Sequence, residues 1–353
     1  MKHIIVGEHC VFNKDVMPDV QNTRKDFYPT GIKKVGVRKV EAPILVWQHD
    51  ENKAIQVHAE FSAYVELTEE SKGINMSRCG RVIMAAAYEH LALQSSCVEP
   101  TPTHTNTSTY GLMESIAKNL QAAHKSQTAY VKCRFSYPSW TKVFASKLDT
   151  AEYVDIMWET IAIGEDVTHL LTLESVGLSL CPCSKEMSLV KNNLNESEKA
   201  VWSNWELMAK DWPTQQHLME KLNNAGFGAH CQRSHLSITT QLIAGQQVWF
   251  EDLLTIAEKS FSSPIRAILK REDEKIEGEL AYLGGFYDDN GFHPVEGTGP
   301  KFVEDISRDA AKQLDLMLDK SIADYVIVCR NMESIHSRNL EAVAVLTAGR
   351  NLQ

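Results

Sequence analysis

Between Ile55 and Leu67, apolar and polar residues alternate without a break. Ile55, Val57, Ala59, Phe61, Ala63, Val65 and Leu67 take one side, and Gln56, His58, Glu60, Ser62, Tyr64 and Glu66 take the other. Successive side chains of a strand point to opposite faces, so this period of two specifies a half-buried strand. The run is longer than the usual strand of about five or six residues, and it implies an extended antiparallel sheet.

The rest of the chain is read around that strand. Residues 1–30 show no clear period and read as an irregular lead-in. A helix rich in Ala and Met is expected near 78–92, then a Pro/Thr/Ser-rich loop at 99–108. A second helix is expected over 109–124, with Leu112, Ile116 and Leu120 on one stripe. Strands are expected at 129–137, 153–163 and 167–176. The second half repeats this order, with a strand at 235–242, helices at 250–261 and 302–321, and closing strands at 325–330 and 340–347. Similarity of residues between the halves is weak, but the order of elements points to an internal duplication. Two segments interrupt it. Residues 191–224 are polar and partly helical, and 278–300 read as an irregular loop around Gly284-Gly285, Asp288-Asp289-Asn290-Gly291 and Gly297-Thr298-Gly299-Pro300.

Composition narrows the function. The 353 residues carry 36 Lys and Arg against 46 Asp and Glu, a net charge of −10. That balance argues against a general nucleic-acid or membrane-surface binder, which needs a basic footprint. A local basic cluster for a phosphorylated small substrate remains compatible with it. No apolar run approaches the roughly 20 residues of a membrane span, and no signal peptide is visible, so the protein is expected to be cytoplasmic. Eight cysteines are dilute for a disulfide scaffold and are expected to be reduced.

Several short stretches could carry chemistry. Cys181-Pro182-Cys183-Ser184-Lys185-Glu186 follows a strand, and thiolates ligate soft or borderline metals. Two ordinary cysteines are the bland reading. In Gly228-Ala229-His230-Cys231-Gln232-Arg233-Ser234-His235, His230 lies just outside a strand and is the better ligand. His235 alternates with apolar residues and suits the polar sheet face. Lys270-Arg271-Glu272-Asp273-Glu274 is either a solvated charge run or a phosphate and metal site. Glu304 stands at the head of a helix, where acidic residues also suit the dipole. Glu333 and His336 lie just after a strand. Lys72 to Arg78 joins the long strand to a helix whose N-terminus could receive an anion.

Taken in order, these stretches resemble the GTP cyclohydrolase I type B family. The resemblance covers most of the chain, from about Met17 to His336. Cys-Pro-Cys-Ser-Lys-Glu and Gln-Arg-Ser-His are specific in combination. The resemblance implies an α+β tunnelling fold, in which two fused β-β-α-α-β-β-like halves have antiparallel sheets and helices on one face. The halves are placed at 31–180 and 181–353, after the lead-in at 1–30, with insertions near 191–224 and 278–300. It also implies a homotetramer and conversion of GTP and water to 7,8-dihydroneopterin triphosphate and formate, without nucleic-acid or membrane partners. By motif, Cys181, His230, Glu274 and His336 would hold a divalent metal (Mn, Fe or Zn). Glu304, Glu333 and His230 would be catalytic. Lys72, Arg78, Lys185, Arg233, Lys270 and Arg271 form the pool for the triphosphate. A paralogue acting on another purine nucleotide, or a non-catalytic nucleotide-binding relative, is the alternative. The two insertions and Ser337-Arg338-Asn339 depart from the family pattern.

Overall fold

The computed structural model describes residues 3–6, 9–12, 20–23, 28–49, 53–95, 109–191, 195–203, 217–218, 228–246, 248–266 and 268–349. The loop expected at 99–108 lies outside them. The alternating run becomes β4 (Lys53–Leu67), paired with β3 (Ile32–Gln48). Helices α2 (Met76–Ser95) and α3 (Thr109–His124) follow, then β5 (Thr128–Lys142) and β6 (Asp149–Ile163). The order then recurs. β7 (Asp166–Leu180) and β8 (Cys231–Leu242) precede α6 (Phe250–Ser260), α7 (Arg271–Leu283) and α8 (Val303–Leu314). β12 (Ile322–Met332) and β13 (Glu341–Thr347) close it.

Eight of these strands form one antiparallel sheet in the order β13-β12-β8-β7-β6-β5-β4-β3, and β9 (Ser263–Pro264) pairs beside β7. Each unit is a ββααββ element whose third strand returns beside its second. This is the tunnelling-fold topology, twice in one chain. Divided by strand order, the units meet at the turn of Gly164 and Glu165, one strand before the 180/181 division.

The period of two explains which face is covered. Phe61, Ala63, Cys133, Phe135, Ile156, Trp158, Leu171, Leu173, Ile238 and Ile327 are buried against helices. Their polar neighbours line the helix-free face. Helix α3 buries Leu112, Met113, Ile116 and Leu120, and α8 buries Val303, Ile306, Ala310 and Leu314. Each large apolar side chain removed from water contributes about 1.5–3 kcal/mol. Helix α6 also ties the units together. Phe250 sits with its ring centroid 5.3 Å from Tyr137, 5.9 Å from Phe135 and 6.3 Å from Trp158, all on the first unit's strands. Glu251 accepts hydrogen bonds from the Tyr137 hydroxyl and, at 3.2 Å, the His49 N–H.

Four expectations change. The lead-in contains a short hairpin, β1 (His3–Val6) with β2 (His9–Phe12), and one helical turn, α1 (Val20–Thr23). The 278–300 segment is not an irregular loop. Its first part completes α7, and its next part is the hairpin β10 (Gly285–Asp288) with β11 (Gly291–Pro294). The hairpin docks Phe286 4.8 Å from Phe144 in the β5–β6 turn. The last long helix stops at Leu314 rather than 321, and the chain then turns through Asp319 at φ 60°. Within 191–224, the described part holds the end of α4 (Pro182–Lys191) and α5 (Glu196–Ser203).

Candidate active site

The C-terminal ends of β7 and β12 meet the N-terminal end of β8. Leu180 pairs with Cys231, and the Cys181 N–H donates to the His230 carbonyl at 3.1 Å. Cys181 and His230 are thus neighbours, although 48 residues lie between them. Pro182 opens α4, where its missing N–H costs nothing. The Ser184 N–H of that first turn approaches the Cys181 Sγ at 3.5 Å. His230 Nδ1 lies 2.7 Å from Gln232 Oε1 and 3.5 Å from Ser334 Oγ. Ser334 belongs to the β12–β13 loop, which carries half-buried Glu333 and exposed His336. The Glu333 N–H donates to the Leu340 carbonyl at 3.1 Å and closes that loop.

Glu304 reaches the same end by another route. Ser179 Oγ donates to the Lys301 carbonyl at 2.9 Å, and the Lys301 N–H donates to the Leu180 carbonyl at 3.1 Å. Asp305 Oδ2 then accepts the Phe302 N–H at 3.0 Å and starts α8. The Lys301 ammonium is buried and donates to the carbonyls of Lys259, Ser260 and Gly297 at 2.9–3.2 Å, with Asp309 Oδ2 at 2.7 Å. This lysine is a staple, and it fixes where α8 begins. Burial, with the Glu304 charge as a smaller contribution, raises the Cys329 thiol to about 11, which places Glu304 within electrostatic reach of β12. Asn331 Nδ2 donates to Ser179 Oγ at 2.9 Å, tying β12 to β7 beneath the cluster.

Glu274 lies exposed in the first turn of α7. That helix is pinned by Asp273, whose carboxylate accepts the N–H groups of Ala145, Ser146 and Lys270 at 2.8–3.2 Å. Burial raises the Asp273 pKa, but these donors outweigh it and hold the group below the usual carboxylate range. Lys185 is buried on α4, 5.5 Å over the Tyr282 ring, and burial lowers its pKa to about 8 while Glu186 works against the shift. Lys270 and Arg271 are exposed at the start of α7.

The chain does not bring every proposed residue together. Lys72 is exposed, and half-buried Arg78 donates to the Ala123 carbonyl at 3.2 Å. Both follow the C-terminal end of β4, in the row of Thr128, Ile163 and Asp166. Cys181 follows the opposite end of β7, a 15-residue strand that spans about 45 Å at roughly 3.3 Å per residue. Among the described residues, no three His, Cys, Asp or Glu side chains form a group that could hold a metal ion. Cys181 and His230 are adjacent, and their S and N donors suit a borderline divalent ion. Glu274 and His336 are not in a shared coordination group with them.

A second feature was not legible in the sequence. β6 and β7 are paired only from Ile163 and Asp166 as far as Asp155 and Glu174. Beyond that point β9 takes the edge of β7, because Ser262 and Ser263 run against Leu178. Gly177 permits this, since a Cβ there would lie 2.1 Å from Phe261 Cγ. The parted strands leave a cavity of about 340 Å³ at the seam of the units. Its walls include Asp155, Glu174, Arg233, His235, Glu258 and Arg330. Glu258 is held by Arg266 through contacts of 2.6 and 3.2 Å. Burial, reinforced by Arg330, lowers the His235 pKa. Domain seams are favoured places for small-molecule pockets.

The fold and this strand-end cluster define a two-unit tunnelling-fold protein with thiolate, imidazole and carboxylate groups gathered on one unit. The family model described as type I GTP cyclohydrolase folE2 matches residues 17–344, and the chain belongs to that family. It is 28% identical over 323 residues to the GTP cyclohydrolase FolE2 of Thermotoga maritima, covering 92% of this chain and 95% of that one. With the protein of the same name from Dinoroseobacter shibae it shares 28% over 341 residues, covering 95% and 75%. Among solved structures, the uricase from Arthrobacter globiformis superposes with a TM-score of 0.48 at 7% identity, covering 91% of this chain and 96% of that one.

Proposed function

We propose that the protein is a metal-dependent GTP cyclohydrolase that converts GTP and water to 7,8-dihydroneopterin triphosphate and formate, a step of folate and pterin synthesis. The observation that carries this reading is the convergence of Cys181, His230, Glu304 and Glu333 at one end of the sheet, in a chain of this family. Cys181 and His230 would hold a divalent ion (Mn, Fe or Zn), with Glu274 and His336 as the further donors the motif implies. When bound, the ion supplies a Lewis acid for water addition at C8 of the purine. Glu304 and Glu333 would orient the substrate and move protons during ring opening and reclosure, with His230 beside them.

The placement of Lys72 and Arg78 at the far end of the sheet supports an oligomer. A site that used both ends would need a second copy of the chain, and a homotetramer provides one. Strands β3 and β13 end the sheet among the described residues, so their outer edges are available for such a contact. No described helix is long and apolar enough to cross a membrane. The cytoplasm is the compartment we assign to this reaction. A second reading, a paralogue with another purine nucleotide as substrate, is favoured by one feature: the β10–β11 hairpin lies between Glu274 and Glu304 in sequence.

The test is direct. Metal-free protein is incubated anaerobically with GTP and added Mn, Fe(II) or Zn. Formate is assayed, and neopterin fluorescence is read after oxidation and dephosphorylation. Both products are expected. Formate without neopterin would replace the proposed product, and neither product from well-folded, metal-loaded protein would defeat the assignment.

A further inference from the structure

We propose that Arg233 and Arg330, with His235 beside them, form a polyphosphate-binding subsite in the cavity between the two units. This deepens the GTP reading and rests on it, because GTP supplies the polyphosphate.

The register of β8 with β12 sets His235 opposite Arg330, with Ser234 opposite Asn331. Arg233 is therefore one step along the same face. Facing residues of such a pair lie about 4.5–5.5 Å apart, and diagonal ones about 7–8 Å. Both arginines push the His235 pKa in the same direction as its burial does. Like charges at this spacing destabilise a sheet unless something answers them. Protein groups answer them poorly here. Arg330 has only Glu341 at 3.8 Å, and Arg233 makes no hydrogen bond or ion pair among the described residues. Other cations of this unit are engaged: Arg266 by Glu258, and Lys301 by three carbonyls and Asp309.

The unanswered pair faces a cavity, and guanidinium groups match phosphate oxygens two at a time. Arg233 follows His230 by three residues, about 10 Å along a strand. The polyphosphate could therefore rest here while the base lies at the strand-end cluster. Asp155 and Glu174 face each other on the opposite wall. They disfavour a bare polyanion and suit one that carries magnesium, an ion that takes one or two carboxylates alongside phosphate oxygens. The expected ligand is thus a magnesium polyphosphate.

Calorimetric titration of the full-length protein with magnesium tripolyphosphate, and separately with guanosine, tests the assignment. Arg330→Ala and Arg233→Ala should each weaken tripolyphosphate binding about tenfold or more, as expected for one lost charge-assisted contact. Guanosine binding should stay at the wild-type level. Arg330→Lys, which keeps the charge but loses the fork, should fall between. Lys312→Ala, a cation on exposed helix surface, should match wild type. Unchanged tripolyphosphate affinity in both alanine variants would overturn the subsite, as would an equal loss of guanosine binding. The two readings can fail separately. Formate release from GTP with arginine-independent tripolyphosphate binding removes the subsite alone. Arginine-dependent tripolyphosphate binding without any turnover of GTP removes the GTP reading alone.

Discussion

The two ββααββ units share one sheet but differ at the end where the candidate chemistry lies. In the first unit, that end is closed tightly. Val143 and Leu148 bracket the β5–β6 turn, and β3 passes to β4 within a few residues. In the second unit, the equivalent connections are long. Residues 181–230 join β7 to β8, and 333–340 join β12 to β13. Cys181, His230, Glu333 and His336 all belong to these longer connections. Duplication supplied a rigid frame twice, and chemistry was added where one copy could lengthen its loops without disturbing the ladder.

The sharpest way to break this comparison is to remove chemistry from the second unit alone. Cys181→Ala is expected to abolish metal content and turnover together, with an unchanged circular dichroism spectrum. Full metal by elemental analysis at normal rates would show that the strand-end cluster is not the metal site. Glu304→Gln should retain metal while turnover falls roughly 10²- to 10⁴-fold, the range for loss of an acid–base group. A fall below tenfold would remove Glu304 from the proton-moving role.

Smaller effects should follow from the frame. Lys301→Met leaves three carbonyls and Asp309 without their shared donor, and should cost about 2–4 kcal/mol in urea unfolding. It should also lower turnover, because Lys301 positions the start of α8. Gly177→Ala sets a methyl group against Phe261 and should cost about 1–3 kcal/mol, while disturbing the seam cavity. Stability equal to wild type would mean that β9 is free to move away.

The last prediction concerns pH and the seam. His169 of β7 is buried against Tyr110 of α3, with ring centroids 3.9 Å apart, and its Nδ1 lies 2.8 Å from Thr160 Oγ1. Burial lowers its pKa to about 4. The unfolded chain, with an ordinary value near 6.5, therefore binds this proton first as pH falls. Its contribution is intact above about 6.5 and is lost progressively down to about 4, by up to about 3 kcal/mol. His169→Gln should flatten the acid limb of the stability curve over that window. An unchanged slope would show that His169 is not the group responsible.

Much of the frame was legible because it depends on local periodicity. The alternation at 55–67 marked β4, and the stripe of Leu112, Ile116 and Leu120 marked α3 to its observed ends. β3 gave no such signal. Its register shifts between Val37 and Val40, and Lys39 takes a φ of 59°, so no single alternation runs along it. The β10–β11 hairpin was hidden in a Gly- and Asp-rich stretch whose turn residues outweigh its short strands. For the site, the motifs named Cys181, His230, Glu304 and Glu333 as candidates. They gave no hint of Lys301 as a staple or of Arg330 as a neighbour of Arg233.

The sequence by itself determined which residues alternate, where the helical stripes fall and which motifs carry reactive groups, because each of these depends on neighbours along the chain. Tertiary structure alone decided that Cys181 meets His230 through the β7–β8 ladder and that Lys72 and Arg78 stand at the opposite end. It also decided that the units part at Asp155 and Glu174 to leave a cavity. The physical reason is that strand pairing and close packing join residues far apart in the chain. Their register follows from the hydrogen-bond ladder and from what Phe261, Lys301 and Asp273 hold in place, and no local pattern encodes it.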